Sequence, residues 1–316
     1  MPPRTPIVLI ADPLASEAEQ ALGSGVEIRR VAGPRRSDLL RAVRDADALI
    51  VRSATTVDRE VLDAAAHLKV IGRAGVGIDN IDVEAAAERG IVVANTPTAN
   101  IHSACEHAIA LLLAAARTIP AANACVHEGS WERSRFHGTE IYGKTVGVVG
   151  FGRVGQLFAE RMSAFGTRIL AYDPYPDQAA VDRLDVELAD LDALVARADF
   201  VSIHVPKTAE THELFDERLL RSAKPGQILI NTSRGGVVDE RALAAVLREG
   251  PISAAGIDVF EQEPPHESPL FGLDNAVLTP HLGAQTREAQ ARAGVDVARA
   301  VLSALTGEPV PGAVNR

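Results

Sequence analysis

The chain has 316 residues, 47% of them hydrophobic and 23% charged, which gives apolar material for a sizeable core and more length than one average domain needs. Its 42 acidic against 32 basic residues leave a net charge of −10, which argues against nucleic acid as a partner but not against a small anionic substrate held by a local arginine cluster. The two cysteines, Cys105 and Cys125, form no C-x-x-C pair and no stretch reaches the roughly 18 apolar residues of a membrane span, so a reducing, cytoplasmic location away from membranes is expected.

From residue 6 to about 96, short β-rich runs alternate with alanine-rich helical stretches: IVLIA at 7–11, DALIVRS at 47–53, KVIGRAG at 69–75 and IVVAN at 91–95. Runs that are apolar throughout belong to parallel strands covered on both faces, so this region predicts a small doubly wound α/β domain. Past Asn95-Thr96-Pro97 come a long apolar helix at 103–117 and a second at 121–128, read as a bridge between domains. A second series follows with strands at 146–149, 168–173, 198–206, 227–233, 252–260 and 276–283, the six that a complete dinucleotide-binding sheet requires. A last helix at 285–304 can return to the first domain. The expected layout is therefore two doubly wound parallel-sheet domains: a discontinuous flavodoxin-like substrate-binding domain at 1–97 and 285–316, with a Rossmann NAD-binding domain at 98–284 inserted in it.

Gly150, Gly152 and Gly155 form G-x-G-x-x-G between an apolar strand and a helical run, which is the context in which a glycine triplet signals a dinucleotide site. The first glycine permits the tight turn, the second lets pyrophosphate approach the backbone, and the third lets helix pack on strand. Arg153 and Val154 are expected against the pyrophosphate. Asp173 ends the next strand about 20 residues on, where a carboxylate accepts from both ribose hydroxyls and repels a 2′-phosphate. The following PYPDQAA carries no arginine or lysine, so NAD is expected rather than NADP.

Several long blocks now converge: VRSAT, GRAGVGIDNID, GKTVGVVGFGRVG, VSIHVPKTAET, KPGQILINTSRGGVVDE, GIDVFEQEPP and LTPHLGAQT. With them the whole chain resembles the D-isomer-specific 2-hydroxyacid dehydrogenases, most closely the members that oxidise 3-phosphoglycerate in the first step of serine synthesis. The resemblance implies catalytic roles for Arg234, Glu263 and His281. Hydride transfer to C2 of a 2-oxo acid leaves an alkoxide that needs a proton, which a histidine supplies near neutral pH. A carboxylate on the other ring nitrogen fixes the tautomer, and a forked, always charged arginine grips the substrate carboxylate. It further implies that Asp258 meets the nicotinamide amide, that Thr232, Ser233 and Arg234 line the nicotinamide side together with His281 and Gly283, and that Val205 and Pro206 contact the adenosine region. Val205 stands where many relatives carry threonine, and Val76 offers only its backbone.

Substrate selection is expected from the first domain, where Arg52, Ser53 and Arg73 end two strands and Ala74, Gly75 and the two residues after them present bare amides. Two arginines suit a dianion such as 3-phosphohydroxypyruvate better than glyoxylate. Arg133 and Arg135 of the WER segment are further candidates, implied by the family and often supplied across a dimer. His102, Glu106 and His107 have helical spacing, but no H-E-x-x-H set is present and no metal is expected. The implied assembly is a homodimer, or a dimer-based tetramer, joined through the long helix that starts near Ser103. The alternatives are a glyoxylate or hydroxypyruvate reductase and, from another class, an NAD-sensing binding protein. Because the chain stops shortly after its last helix, no C-terminal regulatory module is expected.

Overall fold

The structure is a computed structural model and describes residues 4–31 and 35–315. Of these, the residues up to Asn100 together with those from Ala284 onward form one compact unit, and Ile101–Gly283 form the other.

The first unit opens with β1 (Ile7–Ile10), α1 (Ser16–Leu22), β2 (Glu27–Arg30), α2 (Arg36–Ala42), β3 (Ala48–Val51), α3 (Arg59–Ala64), β4 (Val70–Arg73), α4 (Val83–Glu88) and β5 (Val92–Ala94). Its five strands lie all parallel in the order β2-β1-β3-β4-β5, so the winding direction reverses between β1 and β3. β2 is the strand that the apolar pattern does not reveal. Its EIRR sequence is mostly exposed because it pairs only with β1 at the sheet edge, where charged side chains also guard against further pairing.

The second unit contains α5 (Ile101–Ala116), α6 (Ile119–His127), β6 (Thr145–Val149), α7 (Arg153–Ser163), β7 (Arg168–Tyr172), α8 (Gln178–Leu184), β8 (Glu187–Leu188), α9 (Leu191–Arg197), β9 (Phe200–Ile203), α10 (Glu217–Arg221), β10 (Gln227–Asn231), α11 (Glu240–Glu249), β11 (Ile252–Ile257) and β12 (Ala276–Leu278). Its sheet is parallel in the order β12-β11-β10-β9-β6-β7-β8. It has seven strands where the sequence predicts six; the addition, β8, is a two-residue exposed edge. Separate apolar clusters cover the two faces, one with α9, α10 and α11 and one with α5, α7 and α8, which is why β6, β9 and β10 are buried residue after residue. Helix α5 belongs to this unit: Ala108, Leu111, Leu112 and Ala115 are buried in its core, while Ile109, Leu113 and Ala114 are half-buried and Ala110 is exposed.

Helix α12 (Arg287–Thr306) then completes the first unit. It lies on β4 so closely that a Cβ at Gly72 would sit 2.5 Å from Val297. Helix starts follow the sequence signals: Asp58, Asp82, Asp177, Asp216, Asp239 and Thr286 each accept a backbone N–H of the first turn. Among the described residues no single helix is long and apolar enough to cross a membrane.

Candidate functional site

The glycine turn sits where the second sheet reverses its winding, between β6 and β9. Gly150 has φ +93°, and a Cβ there would lie 2.8 Å from the backbone of His204, so both conformation and space demand glycine. A Cβ at Gly155 would come within 2.1 Å of the Gly150 carbonyl oxygen, whereas one at Gly152 would meet nothing within 4 Å. The turn is thus closed toward its own sheet and open at its middle glycine, just before the first turn of the eleven-residue α7. That open backbone at a helix N-terminus suits a pyrophosphate. Arg153 is exposed there, Val154 half-buried, Val205 buried behind Gly150 and Pro206 exposed.

Asp173 also braces the turn: one carboxylate oxygen accepts from Phe151 N at 2.7 Å and the other from Tyr175 N at 2.8 Å. Each oxygen keeps a lone pair, so capping and ribose binding are compatible. Behind the turn, burial pushes the His204 imidazole down to about 3, so it is neutral; it meets Ser202 Oγ at 3.0 Å and the Phe158 ring at a centroid distance of 5.0 Å.

Arg234, Glu263 and His281 lie past the ends of β10, β11 and β12, three neighbouring strands. Asn231 shapes the first loop, accepting from Ser233 N and Oγ and donating to the Arg234 carbonyl; Arg234 Nη1 donates to the Ser233 carbonyl. Thr232 Oγ1 is buried without a hydrogen-bond partner, a polar atom at the expected nicotinamide side that a ligand amide would satisfy. A Cβ at Gly235 would lie 1.7 Å from the Phe260 carbonyl oxygen, so this loop crosses the segment leading to Glu263 backbone against backbone.

Glu263 reaches back to Phe260 N through Oε1 and accepts His281 Nδ1 through Oε2 at 2.6 Å. Burial would push the Glu263 carboxyl up, but the bonds from His281 and Phe260 outweigh it and hold it below the ordinary carboxylate range. Because an ionised carboxylate only accepts, Nδ1 carries the proton, and in the neutral ring Nε2 is the basic nitrogen. His281 itself has φ +54°, a left-handed conformation costing about 1–2 kcal/mol for a side-chain-bearing residue. Asp258 holds it there: its backbone carbonyl accepts His281 N, and its fully buried carboxylate accepts Thr279 Oγ1 (2.6 Å), Leu282 N (2.7 Å), Gly283 N (2.9 Å) and the His107 ring (3.1 Å). Both Asp258 oxygens are therefore engaged inside the unit, a bracing role that the expected nicotinamide contact did not include.

In the first unit Arg52 and Ser53 follow β3, and Arg73 ends β4 in register with Val51. The Arg52 loop is tied down by Asp12, which no motif announces, and by Asn80, which lies in the GRAGVGIDNID block, where the resemblance implies no role for it. Buried Asp12 accepts Arg52 N and Thr55 N with one oxygen and Thr55 Oγ1 with the other, and Asn80 Nδ2 donates to the Arg52 and Thr55 carbonyls. The amides of Ala74 and Gly75 are not bare as expected, since they donate to the Val51 and Arg73 carbonyls. The Gly75 and Val76 carbonyls accept Thr96 N and Asn95 Nδ2. A separate cavity of about 910 Å³ opens beside Asp12, Arg30, Arg36 and Asp58, but its arginines face carboxylates, Arg36 with Asp58 and Glu60, Arg30 with Glu19, and neither Arg52 nor Arg73 lines it.

His102 and Glu106 face Arg161, while His107 turns to Asp258, so the three do not converge. Among the described residues no three His, Cys, Asp or Glu side chains are grouped to hold a metal ion. Arg135 pairs with Glu132 and Asp274 and lies over Phe136; Arg133 is exposed.

A doubly wound unit with an open glycine turn, and a histidine backed by a carboxylate at the same end of its sheet, define a dinucleotide-binding protein equipped for proton transfer. Residues 109–283 match the family described as D-isomer specific 2-hydroxyacid dehydrogenase, NAD binding domain, and the chain belongs to that family. It is 60% identical over 310 residues to the D-3-phosphoglycerate dehydrogenase of Mycobacterium tuberculosis (strain ATCC 25618 / H37Rv), a match covering 98% of this chain and 59% of the relative. The chain thus spans about three fifths of the length of that relative. Among solved structures, the TT0316 protein of Thermus thermophilus superposes with a TM-score of 0.89 at 38% identity, covering 98% of this chain and 99% of the other. A glyoxylate reductase from Paecilomyes thermophila does so with 0.89 at 31% identity, covering 99% of each.

Proposed function

We propose that the chain is an NAD-dependent oxidoreductase that moves a hydride between the nicotinamide and C2 of a D-2-hydroxy acid, with 3-phosphoglycerate and 3-phosphohydroxypyruvate as its substrate pair. The observation that carries this reading is the 60% identity, over 98% of this chain, to a relative named D-3-phosphoglycerate dehydrogenase. Likeness to a glyoxylate reductase stands at 31% and gives the weaker ground for a reductase of shorter acids.

The nicotinamide, when bound, supplies the hydride chemistry. Gly150, Gly152, Arg153, Val154 and Gly155 hold the pyrophosphate, Asp173 takes the ribose hydroxyls and opposes a 2′-phosphate, and Val205 and Pro206 flank the adenosine. Thr232, Ser233, Asp258 and Gly283 with Val76 bound the nicotinamide end. Arg234 grips the substrate carboxylate, and Arg52, Ser53 and Arg73 take its phosphate, with Ala74 and Gly75 shaping the loop after Arg73. Nε2 of His281 exchanges the proton with the substrate oxygen while Glu263 holds Nδ1–H.

Reduction of 3-phosphohydroxypyruvate, hydroxypyruvate, glyoxylate and pyruvate, followed in parallel with NADH and NADPH, is expected to favour the first acid and NADH. His281→Ala should lower kcat by about 10²- to 10⁴-fold with NADH affinity nearly unchanged. Near-wild-type turnover in that variant would overturn the assignment. We also infer a cytoplasmic homodimer, with a dimer-based tetramer as the next level of assembly. The contact is expected through α5, whose Ala110 is exposed and whose Ile109, Leu113 and Ala114 are half-buried, with Ile119, Val126 and Trp131, in and just after α6, 52%, 56% and 78% exposed, as further apolar surface for it. The two cysteines are unpaired and buried, as suits a reducing compartment. Light scattering at micromolar concentration should return at least twice the chain mass; a monomer would exclude the assembly.

A further inference from the structure

His107 has no place among the groups that hold cofactor or substrate, yet its ring meets the buried carboxylate beneath the His281 turn. Nε2 lies 3.1 Å from Asp258 Oδ1 and 3.0 Å from Thr279 Oγ1. Thr279 spends its one hydroxyl proton on Asp258 Oδ1 at 2.6 Å, and a carboxylate only accepts. Nε2 must therefore be the protonated nitrogen of His107, donating into both oxygens.

We propose that His107 is a positioning residue for the reaction: through Asp258 it fixes the Thr279–Gly283 turn in the conformation that presents His281 to Glu263 and substrate. The inference rests on His281 being the proton-transfer group. Leu282 N and Gly283 N go to different oxygens of Asp258, so rotation of the carboxylate would uncouple them and release the left-handed His281. Backbone amides of the turn cannot prevent that rotation, because they move with the turn. His107 belongs to α5, whose Leu111 and Leu112 are buried in the core and whose Leu111 lies against Gly256 of β11. Its N–H therefore ties Oδ1 to a part of the unit that does not move with the turn.

The test follows NADH-dependent reduction of 3-phosphohydroxypyruvate by His107→Phe, which keeps ring volume and loses the donor, and by His107→Gln, which keeps an amide donor. H107F should lower kcat by about ten- to a hundredfold while the KM for NADH changes by less than about threefold. H107Q should recover most of the loss. In an H281A background H107F should have no further effect, because the residue acts only through the histidine that has been removed. Wild-type kcat in H107F, an equal loss in both backgrounds, or no rescue by H107Q would overturn the proposal. A crippled H281A beside a fully active H107F removes this inference alone, whereas a fully active H281A removes the catalytic reading beneath it. If H107F does not fold, Thr279→Val breaks the same bridge from the loop side and must show the same kcat loss, absent in the H281A background.

Discussion

Asp12 and Asp258 occupy comparable places in the two units. Each is a buried carboxylate just past the end of a parallel strand, and each gathers the donors of a neighbouring loop that carries a candidate functional residue. Asp12 is satisfied by the loop it braces, through two amides and one threonine hydroxyl, and the residue it supports, Arg52, keeps an ordinary backbone. Asp258 draws on a separate helix as well, through His107, and the residue it supports is held in a left-handed conformation. A long, flexible cation can find a carboxylate or phosphate from many backbone positions, whereas an imidazole that must face one partner and one reacting atom at once tolerates little displacement. The more elaborate brace stands under the less forgiving group.

Breaking the two braces should separate these demands. Asp258→Ala leaves two amides, a hydroxyl and an imidazole N–H without their buried acceptor and should destabilise the second unit by about 3–5 kcal/mol, with turnover lost even where the fold persists. Asp12→Ala removes three donors' acceptor from the first unit and should cost about 2–3 kcal/mol, appearing as a raised KM for the acid more than as a lowered kcat. Calorimetric unfolding together with steady-state kinetics on both variants would check the pair; equal effects on KM and kcat in both would erase the distinction. A gentler change sharpens it. Glu263→Gln keeps an acceptor for Nδ1–H but can also present its NH₂ and favour the wrong tautomer, so kcat should fall by about tenfold.

That substitution also has a defined pH signature. The Glu263 carboxyl is held below its ordinary value in the folded chain, so its ionised form contributes stability above the unfolded value of about 4.3, and the contribution is lost as pH falls through the folded value. The thermal midpoints of wild type and E263Q should therefore differ most at neutral pH and converge on acidification. A gap that widens toward low pH would contradict the pairing with His281.

The parts legible in the sequence are those whose cause is local. Uniformly apolar runs report strands buried on both faces, and the strand–glycine–helix order reports the nucleotide turn without reference to distant residues. β2 and β8 escaped because an edge strand has a solvent side and its residues need not be apolar. Asp12, Asn80 and His107 escaped for another reason: their partners lie 40, 25–28 and 151 residues away, and a lone acid, amide or histidine has no spacing pattern that announces such a contact. The apolar stretch of α5 was legible as helix but not as core, since continuous apolarity reads the same whether a helix is covered by its own unit or by a second chain.

Helix α12 gives the order of synthesis a consequence for folding. Val8, Ile10, Ile50 and Val70 of the first sheet are covered by Val297, Ala298 and Val301, which leave the ribosome last among these groups. The second unit lies complete between Ile101 and Gly283, so it can close its core while one face of the earlier-made sheet is still wet. The nascent first unit must wait for roughly two hundred further residues, about ten to forty seconds at ordinary elongation rates, with an apolar sheet face open to passing chains. In a growing polypeptide, the domain that begins first finishes last.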